Sequence, residues 1–143
     1  MIAYLDTSVI LRIVLKEPDE LREWNEITHG VTSELSVVEC HRGLYRAHSN
    51  GRLDSGALHL ARSYADQILR RLSIVNITPE LLEKATGTIP GLLGALDAIH
   101  LVSAITFRDR QAADERPLLL ATHDRALARV AAATNFDVLG SSA

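Results

Sequence analysis

The sequence predicts an α/β fold, namely a three-layer α/β/α sandwich with a mainly parallel central sheet. Short apolar runs alternate along the chain with segments of helical periodicity, which is typical of strand–helix units whose strands are parallel. Hydrophobic residues make up 47% of the chain and charged residues 23%, which suits a folded globular protein rather than a disordered one. Since 143 residues is the length of one domain and no Pro/Gly/Ser-rich linker interrupts them, we expect a single domain over residues 1–143.

The first half of the chain is predicted to hold two strands, Ile2–Leu5 and Gly30–Ser33. The helices predicted around them are bounded by caps, prolines or glycines: Val9–Leu15, which Glu17-Pro18 terminates; Asp19–Glu26; a helix capped by Ser36 and ended by Ser49-Asn50-Gly51; and Ser55–Leu72. The last of these carries an apolar stripe at three- and four-residue spacing: Leu58, Ala61, Ala65, Ile68, Leu69 and Leu72. This stripe is either core or part of a groove for a partner's helix.

The second half repeats the alternation of strands and helices. Its predicted strands are Ser73–Ile77, Leu118–Thr122 and Phe136–Leu139. Its predicted helices are one opened by Thr78-Pro79-Glu80, with proline at the first helical position, then Asp97–Arg108 and Arg125–Ala133.

Composition limits the functional classes. The net charge of −3 argues against a generally basic surface for nucleic acid. The single cysteine, Cys40, excludes an internal disulfide and a cysteine-based zinc site. No apolar run approaches the roughly 20 residues that span a bilayer, and the first residues lack the pattern of a signal peptide, so we expect a cytoplasmic protein without membrane contact.

Two aspartates follow predicted strands. Asp6 comes directly after Ile2–Leu5, and Asp124 comes shortly after the buried-type strand Leu118–Thr122. Because functional groups of open α/β sheets gather at the carboxyl ends of strands, both carboxylates are candidates for a site at one edge. The alternative for each is a helix N-cap, since aspartate there accepts hydrogen bonds from free backbone amides.

Two further acids lie in apolar helical surroundings, where an unpaired charge is costly. Glu39 lies in SELSVVECHRGL, and its alternative role is the glutamate of a capping box that begins at Ser36. Asp97 lies in ALDAIHLVSA, and its alternative role is a helix cap after the flexible stretch Gly91–Gly94.

These four acids occur in segments that resemble a known family. The segments DTSVIL, SELSVVECHRGL, ALDAIHLVSA and ATHDRALARVA resemble, in order and spacing, the four motifs of PIN-domain proteins, and in particular those of VapC-type toxins from type II toxin–antitoxin pairs. The resemblance covers nearly the whole chain. It implies a compact α/β ribonuclease that requires Mg²⁺ or Mn²⁺, commonly forms a homodimer and is paired with a VapB-type antitoxin.

The resemblance also implies the site residues. It places Asp6, Glu39, Asp97 and Asp124 in one acidic cluster, with Thr7 and Thr122 as supporting hydroxyls. We assign Asp6, Asp97 and Asp124 as the main metal ligands and Glu39 as a residue that orients or deprotonates a water molecule. The products implied are a 5′-phosphate and a 3′-hydroxyl.

The chemistry of the residues is consistent with this assignment. Mg²⁺ prefers oxygen ligands and is usually held by a few carboxylates, waters and substrate phosphate. Four carboxylates close together repel one another, so some of their pKa values should rise when no cation is present. A bound ion would activate water and stabilise negative charge during RNA hydrolysis.

The basic and histidine residues near the motifs are less decisive. Arginine matches phosphate in a bidentate way, and the arginines nearest the acids are the first candidates for RNA contacts, although a solvated surface position is the alternative for each. These are Arg12, Arg42, Arg46 and Arg125. His100 follows Asp97 on the same helical face and His123 precedes Asp124, but the resemblance assigns neither a catalytic role. Because strand residues alternate faces, His123 should point away from its neighbours.

Other functions are considered beside the toxin nuclease. A stand-alone RNA-processing PIN nuclease and a non-catalytic RNA-binding module both keep the fold, but a degenerate binding module should have lost an acid. A phospho-accepting receiver should carry adjacent acids after its first strand and a late lysine, whereas this chain has Asp6-Thr7 and no lysine after Lys84. A dehalogenase-like phosphatase needs Asp-x-Asp, and Ser8 takes the third place here.

Overall fold

The protein is built on a parallel sheet. The computed structural model describes residues 1–87, 89 and 92–141, and within them the sheet has five strands in the order β3-β2-β1-β4-β5. The strands are β1 (Ile2–Leu5), β2 (His29–Ser33), β3 (Ser73–Val75), β4 (Leu118–Ala121) and β5 (Val138–Leu139). Every neighbouring pair is parallel, so all carboxyl ends lie at the same edge.

Helices cover both faces of the sheet. They are α1 (Thr7–Val14), α2 (Glu34–Ser49), α3 (Ser55–Arg71), α4 (Pro79–Ala85), α5 (Ala95–Arg110) and α6 (Arg125–Ala133). Two buried clusters separate them into layers, because α1, α2 and α3 pack with Ala3 and Leu5, whereas α4, α5 and α6 pack with Tyr4. The alternation of side chains along β1 thus serves both layers. The predicted three-layer α/β/α sandwich is confirmed.

Several predicted boundaries need correction. The first helix begins at Thr7 rather than Val9, because Asp6 caps it. Only a 3₁₀ turn at Trp24–Glu26 forms within the helix predicted over Asp19–Glu26, whose many charged residues offer little apolar surface to bury. The strand that begins at Ser73 ends at Val75, before Ile77. Gly91, the first residue of the predicted flexible stretch Gly91–Gly94, lies outside the described residues.

The cap predicted at Ser36 is wrong. Ser33 is the N-cap of α2 and accepts a hydrogen bond from the backbone N–H of Leu35, so the helix starts three residues earlier than expected. Ser36 is instead fully buried and hydrogen-bonds to Thr32. By contrast, the cap at Thr78 with proline at the next position is confirmed.

The apolar stripe of α3 is mostly core. Four of its residues are buried, namely Ala61, Ala65, Ile68 and Leu69, and Leu58 and Leu72 are partly buried against the same cluster. A groove of about 440 Å³ remains beside the stripe, where Ile68 and Leu72 line one side together with Trp24 and Tyr64. None of the helices in the described part of the chain is long and apolar enough to cross a membrane.

Substitution of Asp54 tests how much the N-cap of α3 contributes to stability, separately from the four acids at the sheet edge. It is the N-cap of α3, and its Oδ1 accepts a hydrogen bond of 2.7 Å from the backbone N–H of Ala57. Asp54→Ala should lower the free energy of unfolding by about 1 kcal/mol, because the backbone N–H of Ala57 loses its capping acceptor. Urea unfolding measures this value. An unchanged unfolding midpoint would show that α3 does not depend on its cap.

Candidate active site

Asp6 lies at the carboxyl end of the central strand β1. It is only 3% exposed, and hydrogen bonds hold both of its carboxylate oxygens. Oδ1 accepts from the Ser8 hydroxyl at 2.5 Å and from the Val9 backbone N–H at 3.2 Å, which makes Asp6 the N-cap of α1. Oδ2 accepts from the Thr122 hydroxyl at 2.5 Å. Asp6 is therefore both a helix cap and a candidate ligand with a fixed orientation.

Thr122 links the ends of the neighbouring strands β1 and β4. Its fully buried hydroxyl donates to Asp6 and accepts from the backbone N–H of Asp124 at 3.0 Å. The Asp6 backbone N–H also donates to the Ala121 carbonyl at 3.1 Å. Asp124 is exposed and caps α6, with its Oδ1 accepting from the Leu127 N–H at 2.9 Å. The two aspartates predicted at one edge are thus positioned by adjoining strand ends.

Glu39 is not part of a capping box. It lies in the second turn of α2, and its Oε1 accepts hydrogen bonds of 2.6 Å from both the Thr7 hydroxyl and His100 Nε2. Burial alone would raise the pKa of Glu39, but the hydrogen bonds from His100 and Thr7 outweigh it and leave the pKa below its ordinary value. Glu39 is therefore held as a carboxylate at the carboxyl edge of the sheet.

Asp97 is placed among the other acids rather than at a helix cap. Gly94 is the N-cap of α5, and Asp97 is the third residue of the helix. Burial raises the pKa of Asp97 first, and the negative charges of Asp124, Asp6 and Glu39 raise it further. Asp124, Asp6 and Glu39 are therefore near enough to Asp97 to affect its pKa, and we refer to these four acids as the acidic cluster.

A buried hydrogen-bond network holds Glu39, one of the four acids. His100 is 2% exposed, and its Nδ1 lies 2.7 Å from the hydroxyl of fully buried Tyr4. Its Nε2 contacts Glu39, and Thr7 continues the network to Ser36 at 3.4 Å. Tyr4 and Ser8 were not predicted as site residues, because tyrosine in an apolar strand and serine in a first helical turn have ordinary structural roles. His100 is the residue whose spacing from Asp97 gave a usable signal.

The comparisons with known proteins decide the family. A model of the PIN domain matches residues 3–133, which is most of the chain. The chain belongs to the PIN-domain family. Within curated proteins, this PIN domain is 35% identical to Ribonuclease VapC46 of Mycobacterium tuberculosis over 104 residues, 71% of this chain and 72% of the relative. It is 32% identical to Ribonuclease VapC47 of the same species over 108 residues, 71% and 73% of the two chains. The resemblance carried by the four motifs is confirmed.

Solved structures share the fold of this PIN domain. A toxin–antitoxin complex from Klebsiella pneumoniae contains a chain that superposes with a TM-score of 0.66 at 17% identity, covering 99% of this chain and 96% of that one. FitAcB from Neisseria gonorrhoeae gives a TM-score of 0.64 at 16% identity, covering 96% of each chain. At these identities the likeness establishes the architecture.

The donor set of this PIN domain fits a hard divalent cation. Among the described residues, no three His, Cys, Asp or Glu side chains form a ready-made coordination group. The charges of Asp124, Asp6 and Glu39 nevertheless reach Asp97 and raise its pKa. Mg²⁺ typically uses one or two carboxylates and completes its shell with waters and phosphate, so an open cluster of oxygen donors suits it better than a closed cage.

The arginines of the PIN domain differ in their surroundings. Arg12 and Arg46 line a groove of about 260 Å³ together with Ser8, the residue that donates to Asp6. Arg12 also donates to the Asp19 carbonyl at 3.1 Å, so its guanidinium is partly engaged. Arg42 and Arg125 are exposed. His123 Nδ1 lies 3.0 Å from the Gly140 carbonyl, which directs its ring toward the β5 end.

Proposed function

We propose that this PIN domain is a metal-dependent endoribonuclease that hydrolyses RNA phosphodiester bonds and is the toxin of a VapBC-type pair. The observation that carries the proposal is that Asp6 and Asp124 follow the carboxyl ends of the adjoining strands β1 and β4, and that their charges, with that of Glu39, raise the pKa of Asp97. The names of the two mycobacterial relatives, both ribonucleases, support the substrate class. Residues 1–143 form the single nuclease domain in this proposal.

The chain's residues have separate roles in this mechanism. Asp6, Asp97 and Asp124 would hold Mg²⁺ or Mn²⁺, directly or through water. When bound, the ion lowers the pKa of a water molecule and stabilises negative charge on the leaving oxygen. Thr122 and Ser8 fix Asp6, and Thr7 fixes Glu39. Glu39 would orient the attacking water or take its proton. The water oxygen would then bond to phosphorus while the P–O3′ bond breaks, and the 3′-oxygen would take a proton from solvent, which gives a 5′-phosphate and a 3′-hydroxyl.

The partners follow from the same proposal. The Klebsiella neighbour, described as part of a toxin–antitoxin complex, supports a VapB-type antitoxin as the partner of this chain. We expect a short gene beside the gene of this chain, and its product should bind the PIN domain and inhibit cleavage. We also expect a cytoplasmic homodimer, which light scattering after size-exclusion chromatography would detect as twice the chain mass.

Cleavage of structured RNA tests the function. Wild-type protein and Asp97→Asn are purified in parallel and incubated with transfer, ribosomal and messenger RNA, with Mg²⁺ or Mn²⁺ and with chelator. Discrete products with 5′-phosphates should appear only with wild type and metal. Equal cleavage by both proteins would identify a contaminating ribonuclease, and no cleavage of any RNA by folded wild type with metal bound would favour a non-catalytic RNA-binding module.

The groove lined by Arg12 and Arg46 should contribute to RNA binding. Arg46→Ala should weaken RNA binding for all sequences. It should also reduce the slope of log K against log salt concentration by about one, because each phosphate contact releases about one counterion. The matched control is Arg116→Ala, since exposed Arg116 precedes β4 and lies at the opposite edge of the sheet. Filter binding over a range of salt concentrations measures both values. Identical salt slopes for the two variants would contradict the assignment of this groove to RNA.

A further inference from the structure

We infer that Tyr4 and His100 are positioning residues for Glu39, an inference that rests on the proposed nuclease function. Tyr4, His100 and Glu39 form a continuous chain of hydrogen bonds at 2.7 Å and 2.6 Å. The Glu39 side chain at the end of this chain is 24% exposed, whereas Tyr4 is fully buried and His100 is 2% exposed. The two buried groups can therefore reach the reaction only through Glu39.

The direction of the chain follows from the chemistry of its first member. A phenol keeps its proton at neutral pH, because its reference pKa is about 10, so the Tyr4 hydroxyl has a proton to donate to His100 Nδ1, 2.7 Å away. In the proposed chain Tyr4 donates that proton, and His100 Nδ1 is the acceptor. The ring proton consequently lies on Nε2, where it is donated to Glu39. Tyr4 thus selects the tautomer that His100 needs in order to hold the carboxylate.

The arrangement fixes one oxygen of Glu39 and leaves the other available. His100 and Thr7 both donate to Oε1, each at 2.6 Å. Within the described residues, Oε2 accepts no hydrogen bond, so it is the oxygen that can contact a water molecule at the site. A side chain anchored at one oxygen presents the second with little loss of rotamer freedom when substrate binds.

The anchor also joins the two helical layers of the domain. Glu39 is on α2, which covers one face of the sheet, and His100 is on α5, which covers the other. His100 lies one helical turn after Asp97. The hydrogen bond between His100 and Glu39 therefore sets the position of Glu39 relative to Asp97, two acids from different layers that must act on one phosphodiester.

Paired substitutions at His100 separate positioning from packing. Glutamine has its amide nitrogen the same number of bonds from Cβ as Nε2 and can still donate to Glu39, whereas asparagine is too short. His100→Asn should lower kcat by about 10- to 100-fold with KM for RNA unchanged, which is the usual effect of losing a partner of this kind. His100→Gln should recover much of the loss, and Tyr4→Phe should lie between them. His59→Asn, at an exposed histidine, is the control.

Nitrogen NMR of the metal-free protein gives a readout independent of activity. With ¹⁵N-labelled histidine, wild-type His100 should show its proton on Nε2 and an unprotonated Nδ1, and Tyr4→Phe should lose this single tautomer. If His100→Asn does not fold, Tyr4→Phe and His100→Gln carry the kinetic test.

Three results would overturn the inference. They are a protonated Nδ1 in wild type, full activity of folded His100→Asn, or equal loss of kcat in folded His100→Asn and His100→Gln. A folded wild-type protein that cleaves no RNA while its His100 tautomer is as expected would instead contradict the proposed function.

Discussion

Asp97→Asn should abolish RNA cleavage without destabilising the protein. The expected loss of kcat is about 10²- to 10⁴-fold, because a bound ion supplies several kcal/mol of transition-state stabilisation and each 1.4 kcal/mol is a factor of ten. The metal-free variant should unfold at the same temperature as wild type or slightly higher. Burial and three neighbouring carboxylates raise the pKa of Asp97, so its charge opposes folding. Single-turnover cleavage and thermal unfolding measure the two effects.

The pH dependence of this stability has a defined sign. Because folding raises the pKa of Asp97, the protonated carboxyl favours the folded state, and this contribution is present at low pH and lost as the pH rises through that pKa. Asp97→Asn should remove this part of the dependence in metal-free buffer. The control is Asp114→Asn, at an exposed position outside the cluster. A lower unfolding temperature for Asp97→Asn than for the control would contradict the electrostatic account.

Asp6→Asn should lose both activity and stability. Asp6 is 3% exposed, and its Oδ2 accepts the Thr122 hydroxyl while its Oδ1 accepts from Ser8 and Val9. An amide group would set an N–H donor against one of these donors, so the free energy of unfolding should fall by about 1–3 kcal/mol. The loss of kcat should be comparable to that of Asp97→Asn. Urea unfolding and single-turnover cleavage measure both changes.

The contrast between the two aspartates is the useful control. Both substitutions remove one negative charge from the same cluster, but only Asp6 is built into the hydrogen bonds between β1 and β4. Equal stability of the two variants would show that the Thr122 to Asp6 hydrogen bond contributes nothing to the fold.

The fold was predictable because the chain's local signals agree with its tertiary structure. The strand Ile2–Leu5 and the helix Arg125–Ala133 have the bounds expected from sequence, since each apolar pattern is bordered by a capping aspartate. The four acids were found because each motif places a carboxylate after a strand or in an apolar helix. The helix predicted at Asp19–Glu26 is wrong, because its many charged residues offer little apolar surface to bury against the core.

The contacts between the motifs could not be predicted. Ser36-x-x-Glu39 matches a capping box, but α2 begins at Glu34 with Ser33 as its cap, and Glu39 hydrogen-bonds to His100, which lies 61 residues later in the chain. Tyr4 in an apolar strand has no pattern that distinguishes it from other core residues. Such contacts depend on how two helical layers meet at the end of the sheet, which is information that spacing along the chain does not contain.

Binding of Mn²⁺ in the absence of RNA tests the central claim most directly, because it asks whether the acids form one cation site. Electron paramagnetic resonance titration of wild type, Asp97→Asn and Asp114→Asn measures free and bound ion. If the four acids form one cation site, Mn²⁺ should bind saturably to wild type and to Asp114→Asn, and at least about tenfold more weakly to Asp97→Asn. Equal binding by wild type and Asp97→Asn, or no saturable binding by wild type, would contradict it.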